Sequence, residues 1–493
     1  MGKHINRGVG GSVVKTPWSS MGEHKKIGIL NQYSINTDRD LIGELRTEIQ
    51  RSGIHKIVVL DDDPTGTQTV AGVPVYTGWD EESMKDIFGN EYLVNFILTN
   101  SRAFSVDKTI EVHREIALNI EKAAKKAAKK YLLVSRSDST LRGHYPTETE
   151  VLRREIEKVN NVCFDGEIIC PYFAEGGRYT IDHVHYVKDG TELIPAAETE
   201  FAQDATFGYH ESDLKKYIQE KTKGRFKEQE IIDISLEELN DVRIDEIIHK
   251  LEAVEHFNKI IVNAVNDEQL IVFCIALYRT IHQGKNFLFR TAASFVRALA
   301  GMTQKAYLDH YKRETKGVIV VGSHTDKTTR QIQKACELDG VIPVLLEVNG
   351  KDGIELAKES TKISELCSRL MEQNKIPLVY TSREVIKSET KEKALERSVQ
   401  ISDAVQSIVA NLQISPDFVI AKGGITSSDV ATKALNVKKA DVVGQAAPGI
   451  PVWRLDSQSR FPNILYIIFP GNVGEENTLK QIIQNICETG GNS

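Results

Sequence analysis

The chain is short of cysteine and aromatics, carries little net charge and has no long apolar run. Six cysteines in 493 residues, none in a CxxC pair, exclude a disulfide framework and a zinc ribbon, and suit reduced core thiols in a reducing compartment. Aromatics make up 7% of the chain and its net charge is -7, which points away from a polyanion or nucleic-acid partner. The longest apolar stretch, Leu270 to Tyr278, is far too short for a bilayer span, and the N-terminus shows no apolar h-region. A cytoplasmic protein without a membrane partner is expected.

What is present is an α/β pattern long enough for two domains. From Ile54 onward, β-branched runs alternate with helical periodicity: Lys56 to Leu60, Phe96 to Thr99, Tyr131 to Val134, Glu167 to Cys170, Lys259 to Asn263 and Asn286 to Phe289. A hairpin over His183 to Val187 and Glu192 to Ile194 interrupts the series, and a helix is expected from Ser294 to Tyr311. The charged stretch Lys312 to Gly317 reads as a link between two lobes that close on substrate. A second series follows at Val318 to Val321, Val341 to Val348, Leu378 to Thr381, Phe418 to Ala421 and Ile464 to Phe469. The expected division is a flexible leader over 1–26, a Rossmann-like substrate domain over 27–312 and a nucleotide-binding α/β domain over 317–493.

The strongest local signal is the strand that empties into Asp61-Asp62-Asp63-Pro64-Thr65-Gly66-Thr67. Adjacent carboxylates repel, and relief is expected from a metal, a cation or substrate hydroxyls. Ser135 to His144 follows another strand, with Arg136 and Arg142 flanking Asp138, Ser139 and Thr140, a mixture suited to a small hydroxylated acid. Thr99 to Arg102 repeats that chemistry, and Pro171 to Arg178 brings two glycines and a further arginine. His183 and His185 stand two apart, but no acid or cysteine framework accompanies them. The lysines from Lys122 to Lys130 read as a solvated helix face.

In the second half, three strands each end in a glycine-bearing loop before a helix: Gly322 to Thr325, Lys422 to Asp429 and Pro470 to Gly474. Such loops expose backbone N–H groups to phosphate, although GxxxxGK[ST] and GxGxxG are absent there. Thr426 to Asp429 also fits a capping box ahead of an apolar stripe at Val430, Ala431, Ala434 and Leu435.

Taken in order, Asp62 to Gly66, Thr99 to Arg102, Ser137 to Gly143, Pro171 to Arg178, Thr199 to Asp204, Gly322-Ser323, Gly423 to Thr426 and Pro470 to Gly474 resemble the four-carbon acid sugar kinase family over nearly the whole chain. The pattern departs from many members at Arg136, at His144 and in the acidic motif itself, so the particular acid is left open. The resemblance implies a first domain that binds a sugar acid such as threonate or erythronate, and a second that binds ATP. Ser323, Gly423, Gly424, Ile425, Thr426 and Gly471 become the implied ATP contacts; Asp62, Asp138, Ser139 and Arg142 become the implied substrate contacts.

The expectation is an ATP- and Mg2+-dependent kinase of a short sugar acid, with metal ligands and oligomeric state, a homodimer included, left open. Asp62 or Asp138 would accept the hydroxyl proton, Arg142 with Arg136 would hold the carboxylate, and Asp63, Arg102 and Arg178 would complete the substrate wall. The rivals are a nucleotide-cofactor dehydrogenase and a non-catalytic sugar-acid sensor.

Overall fold

Each short apolar run of the first half becomes a buried strand, because a sheet covered by helices on both faces needs uninterrupted β-branched residues. The computed structural model describes residues 23–160, 162–303, 316–382, 391–471 and 473–487. In it, Lys56–Asp61, Val94–Leu98, Tyr131–Arg136, Gly166–Cys170, Asn258–Val262 and Phe287–Thr291 run parallel to one another in one sheet. The Val106–Ala127 helix, capped by the Ser105 side chain on Lys108 N, turns Val112, Ile116 and Ile120 inward and leaves Lys122, Lys125 and Lys126 exposed.

The second half repeats the arrangement with Gly317–Val321, Val341–Leu346, Ile376–Thr381, Phe418–Lys422 and Leu465–Phe469, all parallel. The two halves are not separate lobes, as the sequence led us to expect. Three strands that the sequence reading passed over, Val73–Tyr76, Lys439–Ala447 and Ile450–Leu455, join both halves into one 15-stranded sheet. Val73 pairs with Val442 and Val75 with Ala440 across the seam, in antiparallel register. Trp453, fully buried on the second-half side, donates its indole N–H to Thr67 Oγ1 at 3.0 Å on the first-half side.

Other expectations shift. The helix after Thr291 spans only Ala293–Leu299 and is followed by Gly301 at φ 60°, a conformation that ends a helix; residues 304–315, with most of the proposed link, lie outside the described residues. Gly317 belongs to a strand instead of the link, and a methyl there would overlap the Phe418 ring. Most of the leader also lies outside the described residues, but Lys25–Lys26 pairs with Glu192–Pro195. The helix at Gly424–Asp429 starts before Thr426, so no Thr426 capping box forms, though the predicted apolar stripe is buried. Among the described residues no helix is long and apolar enough to cross a membrane.

The hairpin forms as expected, Val184–Asp189 against Glu192–Pro195, and extends into a small antiparallel sheet with Arg178–Ile181. His185 locks this sheet to the first domain. Its Nε2 donates to Ser139 O at 2.7 Å while Nδ1 accepts from the Thr180 hydroxyl at 3.0 Å, so both ring nitrogens are used internally and not on a metal shared with His183.

Two stability predictions follow from this packing. Trp453→Ala removes the largest buried side chain beside the seam and should cost about 3–5 kcal/mol. Urea unfolding should show a lower midpoint, and an unchanged midpoint would show that the seam does not depend on this packing. Burial depresses the His185 pKa from 6.5 to about 4, so the folded state takes up its proton later than the unfolded chain. His185 therefore contributes stability that is present above pH 6.5 and is lost as pH falls toward 4, on the order of 2 kcal/mol by pH 5. In His185→Gln the loss of stability between pH 7 and pH 5 should shrink by that amount; an identical loss would rule His185 out as its source.

Candidate active site

Loops leaving the carboxyl ends of both parallel sets meet at one cavity of about 670 Å3. Its first wall carries Asp63, Arg102, Asp138, Ser139, Arg142 and Arg178, together with Thr65, Gln68, Arg136, Glu175 and Phe201. Its second wall carries Gly424, Pro470, Gly471, Val473 and Gly474, with Thr325, Glu475 and Thr478. The walls nearly touch, since a methyl built on Gly424 would lie 3.8 Å from Asp63 Oδ2.

The acidic run is neutralised by the protein's own cations, so no external cation is required to explain it. Asp61 is buried and pairs with Arg136 Nη1 at 3.0 Å; its carboxylate fills the space a side chain would need at Gly66. Asp62, also buried, accepts from Arg102 Nη2 at 2.6 Å, Arg102 Nε at 3.3 Å and Ser137 Oγ at 2.6 Å. Asp63 turns outward to the cavity, receives Arg102 Nη1 at 3.3 Å and accepts from Thr65 N at 2.8 Å. Three neighbouring acids thus meet three environments.

Those environments separate their protonation. Burial pushes Asp61 up to about 7 despite Arg136, with the adjacent Asp62 and Asp63 adding to the rise. Asp62 is equally buried, but the guanidiniums of Arg102, Arg136 and Arg290 overcome burial and hold it below the usual carboxylate range. Asp138 is held low in the same way, burial being outweighed by Arg102 and Arg142.

The loop from Ser137 to His144 is shaped around these ion pairs. Asp138 Oδ2 receives Arg142 Nε at 2.7 Å, and Arg142 Nη1 lies 3.9 Å from Asp204. Arg290, paired with Glu148 at 2.9 Å, donates to Arg142 O, and Gly143 at φ 118° lets the chain pass against Arg290 and Ser137 where any Cβ would collide. His144 points away from the cavity and bonds Phe104 O at 3.0 Å. The Pro171-to-Arg178 loop is tied down by Glu175, which accepts from Arg297 Nη1 at 2.6 Å while Arg297 also holds Asp267.

The three glycine loops are neighbours because their strands are adjacent in the sheet, in the order Leu465–Phe469, Phe418–Lys422, Gly317–Val321. Gly424 and Gly471 reach the cavity, whereas Ser323, Gly423 and Thr426 form the layer behind: a methyl on Gly471 would meet Ser323 Oγ at 2.9 Å, and one on Gly322 would overlap Thr426. Gly423 has φ 123°, which a side chain would strain. Ile425 is 60% exposed and lies off the cavity. Buried Lys422 donates to Pro470 O at 3.0 Å and braces the loop from beneath.

Sequence reasoning passed over Glu475 and Thr478 as cavity residues and named no role for Phe201, which lies under two arginines. Phe201 and Asp204 do stand in a motif that the family resemblance picks out, which was the available signal. Among the described residues, no group of three or more His, Cys, Asp or Glu side chains is arranged to hold a metal ion.

Comparison with known proteins agrees with this division. Residues 57–299 match the family model of a sugar-binding N-terminal domain, and residues 318–479 match that of a nucleotide-binding C-terminal domain. No functionally curated protein matches the chain. A Haemophilus influenzae DUF1537 protein aligns at 18% identity over 87% of this chain and 100% of its own, with a TM-score of 0.58. A Salmonella typhimurium LT2 protein described as a candidate tRNA synthase aligns at 16% identity over 87% of this chain and 98% of its own, with a TM-score of 0.62. A Bordetella bronchiseptica DUF1537 protein, crystallised with citrate as a domain-swapped dimer, aligns at 18% identity over 88% and 99% of the two chains, with a TM-score of 0.38. The chain is therefore a sugar-binding N-terminal domain joined to a nucleotide-binding C-terminal domain, in the fold seen among DUF1537 proteins.

Proposed function

We propose that the chain is a four-carbon acid sugar kinase, moving the γ-phosphoryl group of ATP to a hydroxyl of a short acid such as threonate, erythronate or a related oxo acid. One observation carries this reading: a single cavity has an acid-and-arginine wall from the sugar-binding domain and a glycine-loop wall from the nucleotide-binding domain. Phosphoryl transfer needs chiefly that arrangement, because it depends on positioning and charge neutralisation more than on covalent help from the protein.

Of the two acids expected to act as base, Asp138 faces the cavity, while Asp62 is buried and saturated by Arg102 and Ser137. Asp138 is ionised at neutral pH and would accept the proton of the attacking hydroxyl. Ser139, beside it on the wall, would hold a further hydroxyl. Backbone N–H groups at Gly424 and Gly471 would receive phosphate oxygens, with Ser323, Gly423 and Thr426 keeping the loops in shape.

Mg2+ is held in such sites by one or two carboxylates together with substrate phosphates. Asp63, turned toward Gly424 across the cavity, fits that demand; the ion would neutralise charge on the phosphates. This domain pair gives a dehydrogenase or a sensor no separate support.

The test is ADP release across short sugar acids, with ATP and Mg2+, in the wild type and in Gly424→Asp. Turnover is expected with at least one four-carbon acid, and the variant should bind ATP at least about a hundredfold more weakly, because an anion would face both the phosphates and Asp63. Acid binding without turnover would indicate a sensor, and unchanged ATP affinity in a folded variant would remove the nucleotide from this loop.

A further inference from the structure

Four arginines line the cavity, and three are already neutralised. Arg102 lies 2.6 Å from Asp62, Arg136 lies 3.0 Å from Asp61, and Arg142 lies 2.7 Å from Asp138. Arg178 is different. Among the described residues it makes no ion pair, and its buried Nε, like that of Arg136, has no hydrogen-bond acceptor. Its guanidinium lies over the Phe201 ring at 5.5 Å, and that of Arg142 lies over the same ring at 5.1 Å.

Arg178 is half-buried; a guanidinium drawn partly out of water without an anion carries a cost, and a ring face returns only part of it. Burial accordingly lowers the Arg178 pKa, more than the nearby Asp138 raises it. The arrangement is completed when an anion docks edge-on, since the guanidinium fork matches a carboxylate.

We infer that Arg178, seated on Phe201, is the anchor for the substrate's carboxylate, and that Arg142 is a positioning residue that orients Asp138. This rests on the sugar-acid reading above and deepens it. The carboxylate is favoured over an ATP phosphate because Arg178 belongs to the first wall, with Asp138, Ser139 and Thr140, and not to the glycine-loop wall. The site would then select acids over neutral polyols of the same length. Phe201, by carrying both guanidiniums, would fix the spacing between the carboxylate anchor and the Asp138 partner.

The test is calorimetric binding of threonate and erythronate beside their neutral reduced counterparts, threitol and erythritol, with and without a non-hydrolysable ATP analogue. The wild type should prefer an acid over its polyol by about tenfold or more. Arg178→Gln should lose that preference, Arg178→Lys should keep part of it, and Arg142→Gln should keep it while losing kcat. Ligand-free Arg178→Gln should melt no lower than the wild type, because it sheds an uncompensated, half-buried charge; a residue with a merely structural role would lower the melting temperature. Retained acid preference in Arg178→Gln would overturn the assignment, as would its loss in Arg142→Gln alone. Weakened ATP binding with intact acid preference in Arg178→Gln would overturn it in favour of a phosphate contact. If the wild type itself shows no preference for either acid, the sugar-acid reading fails, and this inference with it.

Discussion

The antiparallel seam between Val73–Tyr76 and Lys439–Val442 is the constraint on which the rest depends. Along the sheet, the parallel strands of the second half run opposite to those of the first. In a flat sheet their loops would emerge at opposite edges. Strands twist by roughly 20–25° per neighbour, so the six steps from Lys56–Asp61 to Phe418–Lys422 accumulate roughly 120–150° and turn one edge to face the other. Register shifts at Val442/Gly444 and Gln445/Ala447 add local twist where it is needed. The cavity is the outcome, with Asp63 and Gly424 opposed across it.

A shared sheet also restricts motion. Closure by swinging one domain about a free hinge would tear backbone hydrogen bonds at the seam, so any closing movement must belong to the loops or to bending of the sheet. Within the first wall, ion pairs do comparable work. Arg102 joins Asp62, Asp63 and Asp138, which arise from two separate strands, and its own proton is held more firmly because those carboxylates outweigh its burial. Substrate groups would thus meet side chains already in place, which is what positioning catalysis requires.

Much of this was legible in the sequence where the signal is local. Strand–loop–helix alternation located most of the parallel strands to within a few residues, missing the short Ile232–Ile234, and the glycine loops and acid-arginine loops fell at the strand ends that form the cavity. The seam was not legible. Val73–Tyr76 is short and contains Pro74, and Lys439–Ala447 mixes charge, glycine and alanine, so neither shows strand periodicity; their pairing is a contact over more than 350 residues of chain. Partner choice among the arginines was equally hidden. Arg136 and Arg142 look alike beside Asp138, yet one pairs with Asp61 and the other with Asp138, because Arg136 is the last residue of its strand, with Asp61 as its cross-strand neighbour, whereas Arg142 lies in the loop that follows.

The central claim is that acid and nucleotide meet in this one cavity, and a crystal structure with a non-hydrolysable ATP analogue and a four-carbon sugar acid tests it most directly. The account predicts the terminal phosphate against Gly424 and Gly471, with an acid hydroxyl between it and Asp138. A nucleotide with its phosphates on another face of the C-terminal domain, or an acid bound away from Asp138, would contradict it.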